Sequence, residues 1–167
     1  MTINKIAKAH KYAQVAHEGQ TRTGSGEPYF NHVLRVADNL SKTFSDTEMI
    51  CAAYLHDVVE DTEKTIEDIQ REFGDVIAGY VAWLTKTTVH VMGNRETRRK
   101  VDRAKLALAP LNAKIIKLYD MYDNLSDLEV LDDSFAEKYR EEKRKLLDVL
   151  GDDVKGYDIY DKVRALV

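Results

Sequence analysis

The chain has 167 residues, 44% of them hydrophobic, which is enough for one well-packed core and short for two. Its 25 lysines and arginines against 29 aspartates and glutamates give a formal charge of −4, which argues against a general nucleic-acid or anionic-membrane binder. Cys51 is the only cysteine, so an internal disulfide and a cysteine-based zinc cage are excluded, and no apolar run approaches the ~20 residues of a membrane span.

The first ten residues lack the apolar core of a secretory signal, and a cytoplasmic protein is expected. Helical periodicity covers residues 2–18, then 29–44 after the turn-rich Thr23-Gly24-Ser25-Gly26-Glu27-Pro28. Within the second helix, His32 has Val33, Val36 and Leu40 as neighbours, which directs its ring toward the packed side. A histidine there is either a hydrogen-bonded core residue or a ligand. A third helix is expected over 46–60, with Ser45 or Asp46 as its N-cap, and Cys51 reads as part of its apolar run.

The end of that helix is Leu55-His56-Asp57-Val58-Val59-Glu60-Asp61-Thr62. At about 100° per residue, His56, Glu60, Asp57 and Asp61 fall near 0°, 40°, 100° and 140°, so the four share one sector. Three carboxylates that close repel one another. They form either a solvated polar face or a site whose burial needs a positive partner, and a divalent metal is the usual answer to a histidine among carboxylates.

Further helices are expected over 65–73, 75–86, 94–108, 110–130, 134–150 and 156–166. Thr65 and Asp68 have the spacing of a capping box, and Gly74 stands where a helix-ending glycine belongs. Thr87–Met92 is the nearest approach to a strand, with Gly93 after it. Arg95, Arg98 and Arg99 lie in the densest positive segment, which is either a solvated face or a partner for a polyphosphate. In the 110–130 helix, Asp120, Asn124 and Asp127 line up beside the stripe of Leu118, Tyr122 and Leu125, a position that suits a metal ligand and equally a surface face.

Taken together, His32, His56, Asp57 and Asp120 offer two imidazole nitrogens and two carboxylate oxygens from three helices. That mixture suits manganese, iron or zinc, with water in the open positions. His10, His17 and His90 lack carboxylates at comparable spacing and read as surface or satisfied core groups. No internal repeat or linker divides the chain, so the reading is one all-α helical bundle over 1–167.

Three blocks, Gly26-Glu27-Pro28-Tyr29-Phe30-Asn31-His32, Leu55-His56-Asp57-Val58-Val59-Glu60-Asp61-Thr62 and Lys117-Leu118-Tyr119-Asp120-Met121-Tyr122-Asp123-Asn124, resemble in order and spacing the HD-domain hydrolases of the RelA/SpoT type. The likeness spans about residues 5–150 and is greatest to the small single-domain alarmone hydrolases, including the metazoan SpoT-like enzymes. It implies an HD-type bundle with one manganese ion held by His32, His56, Asp57 and Asp120. Glu60 and Asp61 would correspond to the acidic pair that orients or deprotonates the attacking water. Arg22 matches the arginine that packs on the nucleobase, Asn124 the residue near the ribose and 3′-phosphates, and Arg95, Arg98 and Arg99 resemble basic positions, one of which is expected to touch phosphate.

The implied reaction removes the 3′-pyrophosphate of (p)ppGpp, giving GDP or GTP and pyrophosphate, in a stand-alone hydrolase. Related activities act on ppApp, on the 2′-phosphate of NADPH or on pyrophosphorylated tRNA ends, and a non-catalytic nucleotide-sensing module is the reading from another class. The chain departs from the family pattern at Thr23, where lysine is frequent, at Tyr119, expected to bring a ring close to the site, and at Asp127, an extra carboxylate that either faces away or signals a preferred substrate other than ppGpp.

Overall fold

The computed structural model describes residues 2–128 and 132–167. Residues 129 and 130 of the helix expected over 110–130, and the side chain of His90, lie outside the described residues. The first helix, α1 (Thr2–Ala16), leads into a turn that ends at Pro28, where α2 (Tyr29–Ser41) begins. Backbone bonds close that turn: the Arg22 amide donates to the Glu27 carbonyl at 2.9 Å and the Gly26 amide to the Arg22 carbonyl at 3.0 Å. Gly26 sits at φ +71°, a conformation that a side chain would strain.

The central element is α3 (Thr47–Leu55), where every residue from Met49 to Leu55 is buried. A helix apolar on all sides needs cover on all sides. It receives that cover from α1, α2, α6 (Asp75–Leu84) and α8 (Leu111–Ser126). Asp46 starts α3 by accepting from the Met49 amide at 2.9 Å, one of the two caps expected there.

The single helix expected over 46–60 is broken. Leu55 ends α3, and a separate short helix, α4 (Val58–Asp61), follows after Asp57 adopts φ −103° and ψ −5°. At this joint the Asp57 carboxylate accepts from the Tyr29 hydroxyl at 2.7 Å. The angular sector drawn through residues 56–61 therefore does not describe the molecule.

In α5 (Ile66–Phe73) the expected capping box is present, with the Thr65 hydroxyl accepting from the Asp68 amide at 3.2 Å and Asp68 accepting from the Thr65 amide at 3.0 Å. Gly74, at φ +91°, turns the chain directly into α6. Residues 90–92 form a 3₁₀ turn rather than a strand, and the isolated Thr21–Pro28 bridge is the only β pairing among the described residues. Next comes α7 (Arg95–Ala107), docked on α6 by Lys105, whose ammonium donates to the Ala82 and Thr85 carbonyls at 2.7 and 2.6 Å. The remaining helices, α9 (Asp133–Val149) and α10 (Asp158–Leu166), pack against α7 and α8 respectively. Among the described residues, no helix is long and apolar enough to cross a membrane.

Leu40, Leu55, Ile116, Leu118 and Met121 fill the interior between α2, α3 and α8 and carry no more than 2% of their surface exposed. Leu118 lies two residues from Asp120, so the packing that supports it also fixes the functional end of α8. Replacing it, Leu118→Ala, is expected to lower unfolding free energy by about 2–5 kcal/mol, read from urea denaturation of the metal-free protein.

Candidate metal centre

Each of the three helices brings polar groups to one point of this interior. His32 projects from the buried face of α2, His56 and Asp57 occupy the break between α3 and α4, and Asp120 lies on the buried face of α8. His32, His56 and Asp120 are 0%, 2% and 3% exposed. One ligand atom from each of His32, His56, Asp57 and Asp120 lies within 4.8 Å of the others.

The pair distances narrow this further. His56 Nε2 is 3.0 Å from Asp57 Oδ2 and 3.7 Å from Asp120 Oδ1, while His32 Nε2 is 3.5 and 3.3 Å from the same two oxygens. Despite these approaches, both Nε2 atoms are buried and lack a partner in hydrogen-bond geometry. Leaving such an atom unpaired is costly. Atoms that each lie about 2.1 Å from a shared ion are separated by roughly 3.0–3.4 Å, so the donor set fits a divalent metal.

Each of the four groups has a further hydrogen-bond partner outside the set of four. His56 Nδ1 donates to the Ala53 carbonyl at 2.7 Å, and His32 Nδ1 to Asp123 Oδ2 at 2.7 Å, so both rings present Nε2 to the centre. Asp57 accepts from Tyr29. Asp120 accepts from Lys117 Nζ at 2.5 Å and from Asn124 Nδ2 at 2.6 Å. Burial alone would raise both aspartates and lower both histidines. The charges and hydrogen bonds within the cluster outweigh it, holding Asp57 and Asp120 well below the carboxylate range and His56 well above the imidazole range. For His32, Asp120, Asp123 and Asp57 overcome burial and push the imidazole up to about 10.

The cluster forms one end of a cavity of about 1050 Å³, whose lining includes Glu60, Asp61, Arg95, Arg98, Arg99 and Asn124. Glu60 is ion-paired to Lys86, while Arg99 is paired to Glu142 on α9. Asp61 keeps an accessible surface in the cavity mouth, and burial of its carboxyl followed by the charge of Asp57 raises its pKa. Arg22 is not part of the lining. It reaches the site through Asn124, donating to Oδ1 at 3.0 Å, and is flanked by Glu27 and Asp127 at 3.7 and 3.3 Å.

Two expectations about departures from the pattern resolve differently. Asp127 is not among the residues lining the cavity and is paired with Arg22 and with Arg35 at 3.4 Å. Tyr119 does not crowd the site: its hydroxyl donates to Thr43 at 3.2 Å and its ring packs against Phe44, because one residue along a helix is about 100° of rotation away from Asp120. His17 is only half satisfied, with Nδ1 against Gln20 at 2.7 Å and Nε2 buried without a partner. Cys51 is a core residue, its thiol pushed up to about 11 by burial.

Several contributors escaped the sequence reading. Lys117 and Asp123 flank Asp120 at three residues on either side, a helical spacing that could have flagged them. Lys143 could not have been found that way, since it sits in an ordinary charge run of α9. In the fold it lines the cavity, lies 4.8 Å over the Tyr139 ring, and has no ion pair among the described residues. Burial and then the like charge of Lys117 lower its pKa to about 8.

Comparison with known proteins gives one consistent family. The chain matches the HD-domain family over residues 9–152. It is 36% identical over 129 residues to the guanosine-3′,5′-bis(diphosphate) 3′-pyrophosphohydrolase of Drosophila melanogaster, covering 75% of this chain and 70% of that protein. To the bifunctional (p)ppGpp synthase/hydrolase SpoT of Escherichia coli it is 31% identical, across 88% of this chain and 21% of the relative. It spans about a fifth of the length of the long bacterial relatives it matches. A solved metazoan ortholog of SpoT that hydrolyzes ppGpp superposes with a TM-score of 0.85 at 29% identity, covering 97% of this chain and 93% of that one.

Metal binding must displace protons from this cluster. The carboxylates around both imidazoles favour their protonated forms, and a histidine must present a bare Nε2 to act as a ligand, so a metal ion competes with protons here. Titration calorimetry with Mn²⁺ at pH 7, in buffers of differing ionisation enthalpy, should register proton release on binding. Binding without proton release would show that the histidines are already neutral.

Proposed function

Because the chain belongs to the HD-domain family, we propose that it is a metal-dependent hydrolase that removes the 3′-pyrophosphate of guanosine alarmones, converting (p)ppGpp to GDP or GTP and pyrophosphate. The observation that carries the reading is the pair of buried, unpartnered Nε2 atoms facing Asp57 and Asp120 at the end of a cavity lined with cations. We take the protein to act as one HD-type domain over 1–167, in the cytoplasm, with Mn²⁺ as its ion and iron or zinc as alternatives suited to the same donors.

His32, His56, Asp57 and Asp120 would hold the ion, with Tyr29, Lys117 and Asn124 bonded to its two carboxylates. Once bound, a divalent metal neutralises charge at phosphorus and makes water a competent nucleophile near neutral pH. Glu60 and Asp61 are the groups available to orient the water and accept its proton. The raised pKa of Asp61 makes it a better base than an ordinary surface carboxylate.

At the other end of the substrate, a polyphosphate needs cations. Arg95, Arg98, Arg99, Lys117 and Lys143 all line the cavity, and Lys143 gains a counter-ion when an anion enters. Arg22 and Asn124, hydrogen-bonded to each other, are placed to receive the nucleoside, with Asn124 also bonded to Asp120. Recognition and chemistry therefore share one residue.

Incubation with Mn²⁺ and a panel of ppGpp, ppApp, NADPH, pyrophosphorylated tRNA and ordinary nucleotides should release pyrophosphate from ppGpp in preference to the others. No release from any of them, with metal demonstrably bound, would defeat the enzyme assignment. Asp57→Ala is expected to lose metal and turnover together, whereas Glu60→Ala should keep the metal and lose roughly 10²–10⁴-fold in kcat.

A further inference from the structure

The two histidines of the centre differ in what stands behind them. Behind His56 is the Ala53 carbonyl, a neutral acceptor that belongs to its own helix. Behind His32 is the carboxylate of Asp123, only 7% exposed and brought from another helix. That carboxylate is itself gripped by Arg35, whose Nε donates to Oδ1 at 2.7 Å and Nη2 to Oδ2 at 3.1 Å. Arg35 also donates to Glu27 at 2.7 and 3.0 Å and approaches Asp127 at 3.4 Å. Glu27 and Asp127 are the two carboxylates that flank Arg22.

We propose that Asp123 and Arg35 are positioning residues: Asp123 sets how strongly His32 binds the ion, and Arg35 holds both Asp123 and the turn that carries Arg22. This rests on the metal part of the functional reading and adds two residues to it.

The physical reasons are separate for each. An anionic acceptor on Nδ1–H fixes the tautomer, locks the ring plane and makes Nε2 a stronger donor to a metal than a neutral carbonyl does. Asp123 is also a potential ligand in its own right. The two-point grip of Arg35 occupies both its oxygens and keeps the carboxylate pointed at Nδ1 instead of at the centre. Because the same guanidinium satisfies Glu27, its loss would leave Glu27 and Asp127 to compete for Arg22 and pull it from Asn124.

The test is Mn²⁺ affinity, measured without nucleotide by competition against a chromophoric chelator, on wild type, Asp123→Asn and Arg35→Gln. Circular dichroism and the metal-free Tm report folding independently. Asp123→Asn retains the shape and an acceptor oxygen but not the charge, and is expected to weaken Mn²⁺ binding about 10–100-fold and to shrink the rise in Tm that Mn²⁺ produces. Arg35→Gln should weaken Mn²⁺ by a smaller factor and raise KM for ppGpp, and Arg35→Lys should not restore either, because an ammonium cannot make the forked contact.

If Asp123→Asn does not fold, Arg35→Gln alone decides the matter. Wild-type Mn²⁺ affinity in the folded variants overturns the proposal even if ppGpp is hydrolysed normally. Weakened Mn²⁺ binding in a protein that hydrolyses no alarmone supports it and defeats only the substrate assignment. Failure of the wild type itself to bind Mn²⁺ overturns both.

Discussion

Two imidazole nitrogens and two carboxylates are forced into an apolar interior within contact of one another, and the rest of the structure is arranged around that cost. Both Nε2 atoms are buried without a partner in hydrogen-bond geometry and face the two carboxylates. Protons or a metal ion can absorb that cost. Lys117 supplies one positive charge from the side of Asp120, and Arg35 supplies another from behind Asp123, but neither reaches the centre where the nitrogens and oxygens face each other. A cation at that point satisfies all four groups at once, which is the sense in which the site is built for one.

The break between α3 and α4 is what makes the geometry attainable. In a continuous helix, adjacent residues diverge by about 100°, and His56 and Asp57 would point to different neighbours. At the break His56 Nε2 and Asp57 Oδ2 lie 3.0 Å apart. The burial of α3 on every side then keeps this irregular backbone rigid, and the packed face of α8 delivers Asp120, Asp123 and Asn124 to three different partners from one helix. A site whose ligands come from regular helices but whose key joint is irregular gains both precision and reach.

Much of this was legible in the sequence, for reasons that can be named. The periodicity of α2 put His32 on its buried side, where a histidine is conspicuous, whereas in α8 Asp120 read as lying beside the apolar stripe and Tyr122 as within it, and the structure buries Asp120 but not Tyr122. The Thr65 capping box and Gly74 gave the α5–α6 boundary from local chemistry alone. The α3–α4 break was not legible, since no proline or glycine marks it and the Tyr29–Asp57 bond that accompanies it joins residues 28 positions apart. The same holds for Lys143, which becomes distinctive only when α9 is folded over the cavity, and for Arg35, two of whose three carboxylate partners are about ninety residues away. Tyr119 was misjudged for a simpler reason, because closeness in sequence to Asp120 was mistaken for closeness in space.

The most direct test of the account is to locate the ion. Crystals grown with Mn²⁺ and measured at the manganese absorption edge should give one anomalous peak about 2.0–2.3 Å from Nε2 of His32, Nε2 of His56 and a carboxylate oxygen each of Asp57 and Asp120. A peak elsewhere, or one coordinated by the Nδ1 atoms, would contradict the arrangement on which the proposed chemistry rests.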